Sequence, residues 1–261
     1  MARVALTLSV LLLASCADNP YIIGRKLDAG RGDSGVDAGA DSCAVEHPEA
    51  LVCGGFEGAD VETGWSDSAT VEQGTLALTT TRVHSGKGAL LATSRGPDSA
   101  AIVVAELPSL RTGALYLRTY IYIPSGLATE TMNLFFIGAT PTPDPFIGLD
   151  FNLEDGAVQL FSPQASPQRS TGTTTIARDR WVCYRVRVTL AEQRGAVQIH
   201  LDDELALDVT NIDTLPPEGI KLFRAGIDWS SSQDTLFQIY LDDLVLSTTP
   251  TPCLVPYSEG G

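Results

Sequence analysis

Basic side chains are scarce: 17 Lys and Arg stand against 32 Asp and Glu, leaving a formal net charge of −15 over 261 residues. Phosphate recognition needs clustered cations that displace counterions, so a general nucleic-acid-binding role is excluded. Methionine is nearly absent, with 2 residues, while 24 glycines and 15 prolines punctuate the chain, which argues against a helical bundle. The longest apolar run, residues 4–13, is too short to span a hydrocarbon core of about 30 Å. The cysteines contain no C-x₂-C pair and His47 is the only histidine close to them in sequence, which argues against a zinc site. What is present is 44% hydrophobic residues with only 19% charged, and that excludes global disorder.

Arg3 is the sole charge before the apolar run, which ends in Leu13-Ala14-Ser15-Cys16. This tetrapeptide resembles the bacterial lipobox, where signal peptidase II cuts before a cysteine that becomes diacylated. The resemblance implies a signal peptide over residues 1–15, lipidation at Cys16 and membrane attachment through that lipid. Ala17, rather than Asp, follows the cysteine; by analogy with the enterobacterial sorting rule this implies the outer membrane of the cell envelope. Residues 25–42 carry no large apolar side chain except Leu27 and Val36, so 16–42 is expected to be a lipid-anchored, disordered linker. The Asp-Ala-Gly triplets at Asp28 and Asp37 are too few for a calcium-binding β-roll.

With Cys16 assigned to lipid, Cys43, Cys53, Cys183 and Cys253 remain, an even number suited to an oxidising compartment. Three pairings are open. The favoured one joins Cys43 to Cys53, closing a short loop in the opening segment 43–55, and Cys183 to Cys253, tying the last segment to an internal strand.

Residues 56–254 read as one domain, with a tail at 255–261. Alternation of period two is clearest where Leu115, Leu117, Ile121 and Ile123 face one way and Tyr116, Arg118, Tyr120 and Tyr122 the other. Further strands are expected at 133–138, 146–153, 158–161, 184–190, 197–201, 220–229 and 236–246. Turn clusters at 141–145, 154–156, 193–195 and 216–219 separate them, and helical turns are expected only near 179–181 and Asp213. The pattern predicts an all-β, antiparallel two-sheet sandwich of jelly-roll type.

Three sets of residues carry a family resemblance. Gly55-Phe56-Glu57-Gly58, Gly64-Trp65 and residues 84–90 look like the opening of carbohydrate-binding jelly rolls. Residues 180–186 followed by 195–203 are similar to the concanavalin A-like lectin/glucanase superfamily, in its LamG-like form, although Asp203 stands where that superfamily has glycine. Residues 238–246 match the closing strand of both groups. The resemblance implies the concanavalin A-like fold and a carbohydrate partner.

Catalysis carries over poorly. Laminarinase-type members use a Glu-x-Asp-x-x-Glu strand; the nearest stretch, 148–154, lacks the first carboxylate, although Asp150 and Asn152 share a face. Gln198-Ile199-His200 matches the Gln-Ile-His of alginate lyases, and Phe223-Arg224-Ala225-Gly226 resembles their Phe-Lys-Ala-Gly strand. The resemblance makes His200, Gln198 and Arg224 the catalytic candidates. The family's arginine-rich strand is absent, however, and Asp228 replaces its tyrosine. The binding reading rests on Tyr116, Arg118, Tyr120 and Tyr122 as an outward stripe, with Arg185 and Arg187 repeating it and Asp150 and Asn152 adding hydroxyl-binding groups. Trp65, Trp181 and Trp229 are assigned to core or edge packing.

In residues 237–245, Asp243 shares its face with Phe237, Ile239, Leu241 and Val245, where a carboxylate needs a cation or several hydrogen-bond donors. Glu57 and the Ser85-Gly86-Lys87 turn offer further oxygens, so a structural calcium at Glu57 and Asp243 is one expectation, and the jelly-roll resemblance implies it too. Backbone donors to Asp243 without a metal are the other. No organic cofactor is expected. Three functions stay open: a cell-envelope lipoprotein whose sandwich binds polysaccharide, an anionic glycan included; a polysaccharide lyase or hydrolase with a diverged site; and a structural or protein-binding envelope component.

Overall fold

Alternating apolar residues dictate strands whose one face is buried, and such strands must pair in two layers. The computed structural model describes residues 43, 46–97, 99–126, 130–139, 147–231 and 235–253. The expected signal peptide, Cys16, the linker to residue 42, the 141–145 turn and the tail lie outside the described residues. Among the described residues, fifteen strands form two antiparallel sheets. The first runs in the order β13 (Glu204–Ile212), β12 (Gly195–Leu201), β11 (Trp181–Leu190), β6 (Gly113–Tyr122), β15 (Leu236–Ser247), β4 (Ala89–Arg95) and β3 (Thr75–Thr79), with β1 (Val52–Gly54) also on β15. The second runs β10 (Arg169–Thr175), β9 (Ala157–Phe161), β8 (Gly148–Glu154), β7 (Met132–Gly138), β14 (Ile220–Ser230), β5 (Ala100–Leu110) and β2 (Asp67–Val71). This is the jelly-roll β-sandwich that the alternation predicts.

The inner faces meet in one core. Leu115, Leu117, Ile121 and Ile123 of the first sheet and Leu149, Phe151, Phe223 and Ile227 of the second all point into it. A run of rings crosses it, Phe56 on Trp65, Trp65 on Phe223 and Phe223 on Phe135, with centroids 6.1–6.3 Å apart. Trp65 is therefore core, as expected. Both favoured disulfides form, Cys43–Cys53 and Cys183–Cys253.

The closing strand departs from the expected parity. The pairing of β15 with β6 shifts between Asp242 and Val245, and Asp243 takes a left-handed φ of 48°. This bulge returns Leu244 and Leu246 to the core and leaves Val245 on the other face. Asp243 is thus not a core-facing carboxylate. The partner of β15 near the chain start is β1, through Val52↔Leu246 and Gly54↔Leu244.

Candidate functional site

The outer face of the first sheet does not carry the expected open aromatic stripe. Arg118 is 3% and Tyr120 5% exposed, because two segments cross over them. From the β3–β4 connection, His84 stacks on Tyr120 with ring centroids 3.4 Å apart, and the Arg82 guanidinium lies 3.9 Å from the Tyr122 ring centroid. From the C-terminal side, the Pro252 carbonyl accepts a 3.4 Å hydrogen bond from Arg118 Nη1, and Arg118 also reaches the Asp243 carbonyl. Tyr122 donates to Asp179 and packs edge-on against Trp181 and Tyr240. Of the stripe, Tyr116 lines a cavity, together with Arg185 and Arg187.

The expected catalytic trio is divided. Gln198 and His200 sit on β12 of the first sheet, opposite Arg187 and Arg185 of β11, whereas Arg224 belongs to β14 of the second sheet. Both groups face outward, away from the same core, so the sandwich lies between them. Burial, then the Arg185 charge, holds His200 below its ordinary pKa.

The outer face of the second sheet gathers polar groups instead. Cross-strand partners share a face, and the register lays out two rows. One runs Val104, Arg224, Phe136, Asp150, Phe161, Arg169; the other runs Trp229, Asn133, Asn152, Gln159, Thr171. Phe136 lies flat across Gly138 and Gly148, where any Cβ would collide with its ring, and the Arg224 guanidinium stands 5.1 Å from that ring's centroid. Outward positions 224 and 228 flank Gly226, which has no side chain, and Arg224 reaches along the strand to Asp228 at 3.0 Å.

Asn133, Asp150, Asn152 and Gln159 are buried although they face away from the core. Asn133 Nδ2 donates to Asp150 at 2.7 Å, Asn152 Nδ2 to Gln159 at 3.3 Å, and Gln159 to Glu154 and Thr171. Asn133 Oδ1 is buried with no partner, an acceptor left for something else. Burial first, then the charge of Asp228, pushes the Asp150 carboxyl up to about 7, against the pull of Asn133 and Arg224. Such a group can exchange a proton at neutral pH. Among the described residues no tyrosine or histidine stands on the strands of this sheet.

Asp150 and Asn152 are thus brought together with Arg224, as their parity allows, while Asn133, Phe136, Gln159 and Trp229 escape the sequence reading. Trp229 is the sharpest miss. The pairing of β14 with β7 shifts between Ala225 and Trp229, which sets the indole opposite Asn133 on the outer face, 38% exposed, rather than in the core. A detectable signal was three amide side chains placed at the polar positions of otherwise apolar strands.

The residues expected to hold calcium meet at loop 84–88. Glu57 accepts from the Lys87 and Gly88 amides at 2.9–3.2 Å. Asp242 accepts from the His84 and Ser85 amides, and Asp243 from His84 Nδ1 at 2.6 Å and Ser85 Oγ at 2.7 Å. The donor chemistry suits a hard cation, yet among the described residues no three His, Cys, Asp or Glu side chains stand close enough to hold a metal ion.

No protein family and no curated protein matches the sequence. Solved structures match the fold. An endo-β-1,4-glucuronan lyase from the fungus Trichoderma reesei is 17% identical, with a TM-score of 0.58 over 71% of this chain and 92% of its own. The cellulose-induced protein Cip1 is 17% identical, with a TM-score of 0.57 over 75% and 98%. The alginate lyase vAL-1 from Chlorella virus is 13% identical, with a TM-score of 0.52 over 70% and 92%. At these identities the shared property is the jelly-roll sandwich.

Proposed function

We propose that this chain is a cell-envelope lipoprotein whose sandwich binds polysaccharide along the outer face of the second sheet, which would serve as its binding groove. The row from Trp229 through Asn133 and Asn152 to Gln159 carries the reading. An exposed indole offers a flat face to sugar C–H groups, and beside it lies a polar row in which Asn133 Oδ1 has no protein partner. Structures of this fold that are named for glucuronan lyase and alginate lyase support a polysaccharide partner. Trp229→Ala tests the site by titration with the best ligand from a glycan array. Loss of one stacking ring removes about 1 kcal/mol, a several-fold drop in affinity with an unchanged circular dichroism spectrum. An unchanged affinity would move the sugar elsewhere.

A lyase is the second reading, favoured by Asp150. With its carboxyl at about 7 and Arg224 and Asn133 beside it, Asp150 can remove a proton from a uronate whose carboxylate those neighbours hold. Ultraviolet absorbance from an unsaturated product on glucuronan or alginate, abolished in Asp150→Asn, is the outcome this reading requires.

A further inference from the structure

On the far side of the sandwich from the groove, a recess of about 360 Å³ opens between the first sheet and the segment that follows β15. Tyr116, Arg185, Arg187, Gln198 and His200 line the sheet side, and Pro250, Thr251 and Pro252 the other. Strand register makes the sheet side continuous: Arg187 pairs with Tyr116 on β6 and Gln198 on β12, and Arg185 pairs with Arg118 and His200. The outer wall is fixed in place. Cys253 is bonded to Cys183 of β11, and the Pro252 carbonyl accepts from Arg118.

Charge is the informative property here. The whole chain carries −15, yet three arginines stand on adjacent positions of two neighbouring strands, with Arg185 directly opposite Arg118. Arg118 has Asp243 and Glu46 beside it and Arg185 reaches Asp203, whereas Arg187 makes no ion pair among the described residues and is the cation left for an anion in the recess. Arg185 Nη2 is partly spent on the Asp202 carbonyl at 2.8 Å and Asp203 at 3.5 Å, but its Nε is buried without a partner. Thr251 Oγ1, on the opposite wall, is likewise buried and unpartnered. Both residues line the recess, so its two walls each carry a polar group that the protein itself leaves unpaired.

We infer that this recess binds a single anionic sugar unit, its carboxylate held by Arg185 and Arg187 and its ring packed between Tyr116 and the Pro250–Pro252 wall. The volume lies at the low end for ligand pockets and admits one ring rather than a chain. A guanidinium fork matches a carboxylate in two parallel bonds, and the Tyr116 ring, 6.0 Å from the Arg187 guanidinium, supplies the flat apolar side. The site is separate from the groove of the second sheet, so each stands or falls alone.

The test is an NMR titration of the purified chain with D-glucuronate, run beside D-glucose and inorganic sulfate. Glucuronate is expected to give saturable shifts that weaken at least tenfold in Arg187→Ala. Arg187 is exposed, so this variant keeps the wild-type melting temperature; Arg185→Gln, which retains a neutral donor, loses affinity as well. Four results would overturn the assignment: no saturable shift with glucuronate, glucose binding as well, sulfate binding as well, or the full affinity retained in Arg187→Ala. Loss of the glucuronate shifts in Trp229→Ala would also overturn it, by placing that binding in the groove.

Discussion

Asp150 shows how one residue couples the groove to stability. It faces outward on β8 but is buried beneath its neighbours, where it accepts from Asn133 and feels the charge of Asp228. Its folded pKa of about 7 stands above the ordinary 3.8, so the folded state binds the proton more tightly than the unfolded chain. That contribution is fully present below the unfolded value and is lost as pH rises through about 7. A shift of this size corresponds to at most about 4 kcal/mol across the window. Asp150→Asn keeps the Asn133 contact but cannot ionise, so urea midpoints at pH 5 and pH 8 should differ less in the variant than in wild type. Asp242, pushed to about 8 by burial and by Asp243, titrates in both proteins and cancels in the comparison. Equal pH dependence in the two proteins would show that Asp150 is an ordinary carboxylate.

At the scale of strands, what alternates is legible and what bulges is not. β6 and β11 follow from period-two patterning, and the faces assigned to Leu117 and Arg118 are those observed. β10, read as RSTGTTT, has no apolar side chain to alternate, and β5 opens with small and β-branched residues on both faces, so neither announces itself. Register shifts are invisible to patterning, and both of the main misreadings come from them: Trp229 turns outward in β14, and Asp243 leaves the core in β15. The burial of Tyr120 needed knowledge that His84, distant in sequence, folds back over it. The second bulge also defines a prediction. Glu57, Asp242 and Asp243 all lean on the single loop 84–88, and we propose that calcium binds there, drawing these carboxylates and Ser85 together. An ion that binds only the folded state adds about 2.7 kcal/mol at a hundred times its Kd, raising the melting temperature by roughly 5–10 °C. Identical melts in calcium and in chelator, with no metal by elemental analysis, would leave the loop held by hydrogen bonds alone.

For the molecule as a whole, charge decides how it can meet a membrane. Anionic leaflets attract clusters of Lys and Arg and repel a chain of net charge −15. Among the described residues no helix is long and apolar enough to cross a bilayer. On the proposal of a lipid at Cys16, that lipid supplies the attachment without electrostatic help. Each buried methylene contributes about 0.8 kcal/mol, and a single acyl chain holds a protein only marginally, whereas several chains on one cysteine hold it firmly. Wild-type protein expressed in a bacterium that processes lipoproteins is accordingly expected in the membrane fraction, and to stay there through a high-salt wash, because screening weakens ionic contacts but not acyl burial. Cys16→Ala is expected to move nearly all of it to the soluble fraction, still folded, with the Cys43–Cys53 and Cys183–Cys253 disulfides intact. If Cys16→Ala partitions as wild type does, or if salt alone releases the wild type, attachment runs through protein contacts and the lipoprotein reading fails. Groove and recess would then serve a soluble protein rather than one that holds glycan at an envelope surface.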